Sequence, residues 1–113
     1  MEITAEPAGP TTVIAISGSV DALTSGAVAH FLSEQIGAGQ KQLVADLSRV
    51  EFMSSAGLRA ILATLKESRQ QGGDLRLAAA QPGVERVLKM SGFTSILKTY
   101  PTVAEAVASF QAS

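Results

Sequence analysis

The sequence predicts an α/β fold: a mixed sheet of four to five strands with about four helices packed on it. Three observations carry this. Short runs rich in β-branched aliphatic residues alternate with segments whose apolar residues recur at helical spacing, giving the order β-β-α-β-α-β-α-β-α. Glycine and proline cluster between these runs, as in "PAGP", Gly37–Gly39 and Gly72–Gly73. The chain is 46% hydrophobic and 17% charged, which suits a folded globule, yet it has only four Phe and one Tyr, so the core must be aliphatic. A length of 113 residues predicts one domain, 1–113, that buries roughly two-thirds of its unfolded surface without staples.

"MEITAE" alternates weakly and reads as a short edge strand, and "PAGP" as the turn after it. "TTVIAISG" is a nearly continuous apolar run ended by Gly18, the pattern of a strand covered on both faces. Residues 24–37 read as a helix capped by Thr24 or Ser25, with Val28, Phe31, Leu32 and Ile36 near one face. "QLVADL", 42–47, is the next buried strand. Leu58, Ile61, Leu62 and Leu65 stand at i, i+3, i+4 and i+7, the clearest helix in the chain, and Gly72–Gly73 ends it.

"DLRLAA" is a strand, and "QPGVERVLKM" a helix with Pro82 in its first turn and Val84, Val87 and Leu88 on its inner face. "MSGF", 90–93, ends that helix at Gly92, with Phe93 turned inward. "SILKTY" is a short, weaker strand. "PTVAEAVASF" closes the chain as a helix, with Thr102 and Glu105 spaced as a capping box. The opening strands fit an antiparallel hairpin; strands separated by helices favour parallel pairing through right-handed crossovers.

Composition narrows the function. A formal net charge of -1 argues against a nucleic-acid binder. The chain has no cysteine, which removes disulfides and thiol chemistry. "MEITAEPAGP" lacks the basic and apolar blocks of a signal peptide, and no apolar run reaches the length of a membrane span. A cytoplasmic protein is the expectation, with no membrane, cofactor or metal partner.

The stretch "VEFMSSAGLRAILATL", 50–65, concentrates the chemistry. A strand gives way to a helix through two serines, an alanine and a glycine. A helix N-terminus offers free N–H groups and a partial positive charge. A serine there can act as a cap, can carry a phosphate stabilised by those N–H groups, or can help bind a small anion. Ala56 and Gly57 are expected to keep the surroundings bare for a visiting active site. Gly57 costs the helix about 1 kcal/mol against alanine, which a close backbone approach would justify.

Hydrolase chemistry does not fit. A nucleophile elbow needs G-x-S-x-G, and Met53 stands where its first glycine belongs. The one histidine, His30, lies upstream of Ser55, against the Ser…Asp…His order of that fold. It sits within the helical pattern of 24–37, as an ordinary surface residue would. No Gly-rich phosphate loop with lysine and no metal-ligand spacing is present.

At three places the chain resembles the STAS family, and within it the bacterial anti-sigma factor antagonists. "GSVD", 18–21, is similar to the family's segment after the second strand. "LVADLSRVEFMSSAGLRAIL", 43–62, resembles its central strand, phosphorylation loop and following helix. "VLKMSGFTSIL", 87–97, is similar to its L-x-x-S-G segment. The likeness spans nearly the whole chain in the right order.

The resemblance implies a compact α/β domain without catalytic activity. Such a protein binds an anti-sigma factor that is often a serine kinase. The kinase phosphorylates one serine and the modified form lets go; a metal-dependent serine phosphatase resets it. Aligned on the family's loop, the acceptor falls on Ser55, with Ser54 the second candidate. Ser54 stands where many members carry aspartate, and Ala56 where they carry serine or threonine.

Asp21 matches the family's loop aspartate, implying a contact to the partner or help in presenting the hydroxyl; a plain turn residue is the alternative. Partner contacts are expected at Asp21, Ser54, Ser55, Ala56, Gly57, Arg59 and Lys66, although Arg59 and Lys66 also suit an ordinary solvated helix face. Asp46 and Ser48 are expected to serve turn chemistry after their strand. The competing functional reading is a STAS sensor or scaffold module, binding a nucleotide or small anion or joining a larger assembly without phosphorylation.

Overall fold

A computed structural model describes residues 1–111. β1 (Glu2–Ala8) pairs antiparallel with β2 (Thr11–Val20). The chain then alternates α1 (Ser25–Gly37), β3 (Gln42–Met53), α2 (Ser55–Gln70), β4 (Asp74–Ala78), α3 (Pro82–Met90), a 3₁₀ turn (Phe93–Ser95), β5 (Lys98–Tyr100) and α4 (Val103–Gln111). The sheet order is β1-β2-β3-β4-β5, with β2 through β5 parallel. This is the predicted α/β architecture with five strands and four helices.

The strand order rises steadily from β2 to β5. Crossovers of one hand that step in one direction carry their helices over the same face. One core accordingly joins Ile14, Ile16, Leu43, Ala45, Leu47, Leu75 and Leu77 of the sheet to Val28 and Leu32 of α1, Ile61 and Leu65 of α2, and Val84 and Leu88 of α3. Alternate residues Val44 and Ala78 point to the other face, where Ala106 and Phe110 of α4 cover them.

α4 is anchored there by Arg76, a buried cation. Its Nε meets Asp74 at 3.1 Å, its Nη1 donates to Ser109 Oγ at 2.7 Å, and its Cζ lies 3.9 Å from the Phe110 ring centroid. Pairing with a carboxylate and an aromatic face offsets the desolvation that burial imposes on a charge.

Several local expectations are corrected. β1 runs on through Pro7 to Ala8, so the turn narrows to Gly9–Pro10, with Gly9 at φ +64°. Proline is tolerated because β1 is an edge strand. Gly18 does not end β2; it sits inside the strand at φ +99°, beside a register shift between Gly18 and Ser19. Nor is β2 covered on both faces: Ile14 and Ile16 are buried, but Val13, Ala15 and Ser17 are only half-buried, because the nine-residue α4 is too short to cover the whole outer face.

β3 extends six residues beyond Leu47, so Asp46 lies within it rather than after it. Asp46 Oδ1 accepts the Ser48 N–H at 3.0 Å where the pairing with β2 slips between Ala15 and Ser17. The 102–105 capping box is half made. Thr102 Oγ1 accepts the Glu105 N–H at 3.1 Å, while the Glu105 carboxylate takes the threonine hydroxyl at 3.3 Å.

Candidate functional site

Ser54 and Ser55 sit where β3 passes into α2, at the carboxyl end of the parallel strands, where loops meet helix N-termini. The two serines have different environments. Ser54 is the N-cap of α2, with extended backbone at φ −88° and ψ 174°. Its Oγ accepts the Gly57 N–H at 3.3 Å, and its carbonyl accepts the Leu58 N–H at 3.0 Å. Ser55 is the first residue of the helix and is exposed. Its hydroxyl has no hydrogen-bond partner among the described residues.

The site is held by β2. Ser54 N–H donates to the Val20 carbonyl at 2.9 Å, which fastens the serine loop to the end of the neighbouring strand. Gly57 is buried against the same residue. A Cβ at position 57 would stand 2.9 Å from both the Val20 Cγ1 and the Val20 carbonyl oxygen, and 3.0 Å from Met53 Cγ. The expectation that Gly57 leaves bare surface is therefore corrected: it is buried and packs against Val20, the close approach that justifies glycine in the first turn. Ala56 is half-buried.

With Gly57 and Leu58 N–H groups occupied by Ser54, the Ser55 and Ala56 N–H groups have no protein acceptor among the described residues. The first turn of α2 contains no acidic side chain. A phosphate on Ser55 would thus stand at the positive end of a sixteen-residue helix, beside free donors and without a like charge in that turn.

Asp21 is placed at the base of the adjoining loop. Its Oδ1 accepts the Leu23 N–H at 2.9 Å and the Thr24 N–H at 3.2 Å, while its own N–H donates to Thr24 Oγ1 at 2.9 Å. The Thr24 hydroxyl donates to the Ser19 carbonyl at 2.8 Å. Thr24 stands at the N-cap position of α1 but its side chain does not cap that helix; it braces the loop. The turn role that the sequence left open for Asp21 is realised in these bonds.

Arg59 and Lys66 are exposed on α2, and neither has an ion-pair partner among the described residues. His30 is exposed on α1 beside Glu34, 3.2 Å away. Among the described residues no group of three or more His, Cys, Asp or Glu side chains gathers as a metal site, and no helix is long and apolar enough to cross a membrane.

Two features of the site escaped sequence reasoning. Val20 is fully buried and joins both loops, yet in sequence it reads as one more apolar strand residue. Leu23 is 93% exposed; its only signal was an apolar residue placed before a helix, out of phase with the apolar stripe.

Replacing Ser54 by alanine removes the cap. We expect a loss of about 1 kcal/mol in urea unfolding, with Ser55 still exposed. An unchanged stability would show that the 3.3 Å bond contributes nothing.

A family model described as the STAS domain matches residues 2–106. The chain is 32% identical over 111 residues to a Bordetella bronchiseptica protein provisionally named anti-sigma factor antagonist BtrV, covering 98% of this chain and 96% of that one. It is 33% identical over 96 residues to the anti-sigma F factor antagonist of Paenibacillus polymyxa, covering 84% of this chain and 82% of the relative. The crystal structure of an anti-sigma factor antagonist from Mycobacterium paratuberculosis matches with a TM-score of 0.88 at 27% identity, over 96% of this chain and 92% of that one.

Proposed function

The chain belongs to the STAS domain family, and from that premise we propose that it is an anti-sigma factor antagonist switched by phosphorylation of Ser55. Unmodified, it docks on an anti-sigma factor that is also a serine kinase, and so frees the sigma factor. The docking face comprises the Ser54–Ser55 loop, the Gly18–Asp21 loop and the outer face of α2 with Arg59 and Lys66. Ala56 lies within it; Gly57 supports it from below.

The observation that carries this reading is the division of labour between the serines. Ser54 is occupied in capping, whereas Ser55 is exposed with no protein partner among the described residues. In the transfer, Ser55 Oγ attacks the γ-phosphorus of ATP. The bond to the ADP oxygen breaks, and the serine proton passes to the kinase's base. The kinase supplies nucleotide and Mg²⁺; this chain supplies the alcohol.

The product gains about 1.5 to 2 negative charges. The helix N-terminus tolerates them in the free protein, but in the complex they meet desolvated partner surface and the partner dissociates. A metal-dependent serine phosphatase hydrolyses the ester and restores the docking form. No catalytic role falls to this chain.

The test is intact mass after incubation with Mg-ATP and each candidate anti-sigma factor kinase. The expected result is one added phosphoryl group, mapped to Ser55 and lost in Ser55→Ala. Modification of Ser54 instead, or none with any kinase that binds, would overturn the assignment. Retention of labelled nucleotide by the protein alone would favour the sensor reading.

A further inference from the structure

We propose that Leu23 is the apolar anchor of the docking face and seats in an apolar pocket of the anti-sigma factor kinase, while Ser55 sets the charge. This rests on the docking reading above and adds to it the residue that supplies affinity.

Leu23 is 93% exposed, the most exposed large hydrophobic side chain among the described residues. A single exposed leucine on a mobile loop would need no explanation. The backbone that carries this one is tied by hydrogen bonds. Its own N–H is held by Asp21 Oδ1 at 2.9 Å. Next to it, the Thr24 N–H donates to the same carboxylate and the Thr24 hydroxyl to the Ser19 carbonyl. The Ser25 N–H is held by the Asp21 carbonyl at 2.8 Å.

The tied backbone thus presents an apolar side chain to water. Ordering it in advance lowers the entropy lost on docking.

Its position relates it to the serine. Leu23 lies three residues on from Val20, whose carbonyl holds the Ser54 N–H at 2.9 Å. Met90, 81% exposed, provides the contrast. It ends α3, which runs back from the carboxyl ends of the strands, so it lies at the opposite end of the sheet from Ser55.

Asp21 is on this account a positioning residue. Its carboxylate oxygen is spent on the backbone of the loop that presents Leu23.

The experiment uses the full chain and the purified kinase that modifies Ser55 in the mass assay. Binding is measured by calorimetry for wild type, Leu23→Ala, Leu23→Asn and Leu23→Met, each alone and combined with Ser55→Asp. Leu23→Ala and Leu23→Asn are expected to weaken binding on the order of tenfold to thirtyfold. Leu23→Met, which keeps the apolar volume, should stay near wild type.

The Leu23→Ala factor should be the same with and without Ser55→Asp, because anchor and switch act independently. Thermal unfolding should be unchanged, since the side chain packs against nothing. Wild-type affinity for Leu23→Ala, with Ser55 still phosphorylated, would overturn the anchor and leave the proposed function standing. A chain that no kinase modifies at Ser55 would overturn both.

Discussion

Phosphorylation of Ser55 is expected to weaken binding of the anti-sigma factor kinase about a hundredfold or more, and Ser55→Asp at least tenfold, while Ser55→Ala binds as tightly as the unmodified protein. The physical basis is differential solvation. In the free protein the new charge stands in water at the N-terminus of α2, beside the Ser55 and Ala56 N–H groups. In the proposed complex it would be desolvated against partner surface. A loss of about 3 kcal/mol corresponds to roughly two orders of magnitude in affinity. The aspartate carries one charge rather than nearly two, so its effect is smaller. Binding constants for the three forms against one kinase check this; an aspartate variant as tight as the alanine variant would show that charge is not the switch.

Gly57→Val is expected to lower stability by about 3 kcal/mol, a drop of roughly 10 °C in Tm for a chain of this size. The first added carbon alone would stand 2.9 Å from the Val20 carbonyl oxygen and Cγ1. A side-chain rotation can relieve the second overlap but not the first, because the carbonyl also holds the Ser54 N–H. The only relief is to lift the start of α2 off β2.

Gly57→Ala should cost less, about 1 kcal/mol, because alanine's better helix propensity offsets part of the overlap. Thermal and urea unfolding measure both. In the folded fraction of Gly57→Val, phosphorylation of Ser55 should also slow, because the loop that presents it has moved. A valine variant within 0.5 kcal/mol of wild type, as an order-of-magnitude bound for a neutral change, would mean that the β2–α2 contact is looser than the geometry indicates.

Much of the fold was legible in sequence because its core is periodic. The i, i+3, i+4, i+7 stripe of Leu58, Ile61, Leu62 and Leu65 lies in α2, and Pro82 takes the first turn of α3. The exceptions are places where a local signal has two meanings. Gly18 was expected to end a strand, but a positive φ can also place glycine at an irregularity within one. "PAGP" marked a turn correctly and overstated its width, because an edge strand accepts proline.

At the site, residue type narrowed the choice and geometry made it. Capping propensity alone does not separate two adjacent serines, and only the family resemblance put the acceptor on Ser55; hydrogen bonding assigns Ser54 to the cap and leaves Ser55 exposed. Gly57 was noticed for its cost, yet its reason lies in Val20, thirty-seven positions earlier in the numbering.

By itself, then, the sequence determined the succession of strands and helices, the aliphatic core and the placing of two hydroxyls at a strand-to-helix junction. These depend on propensity and periodicity, which act over a few neighbouring residues. Only the tertiary structure decided that β2 lies against the start of α2, that Ser54 rather than Ser55 is tied down, that Leu23 is held in water, and that α1 to α3 share one face while α4 takes the other. Each of these depends on contacts between residues far apart in the chain, where the order of strands and the approach of backbones set the outcome and no local pattern records it.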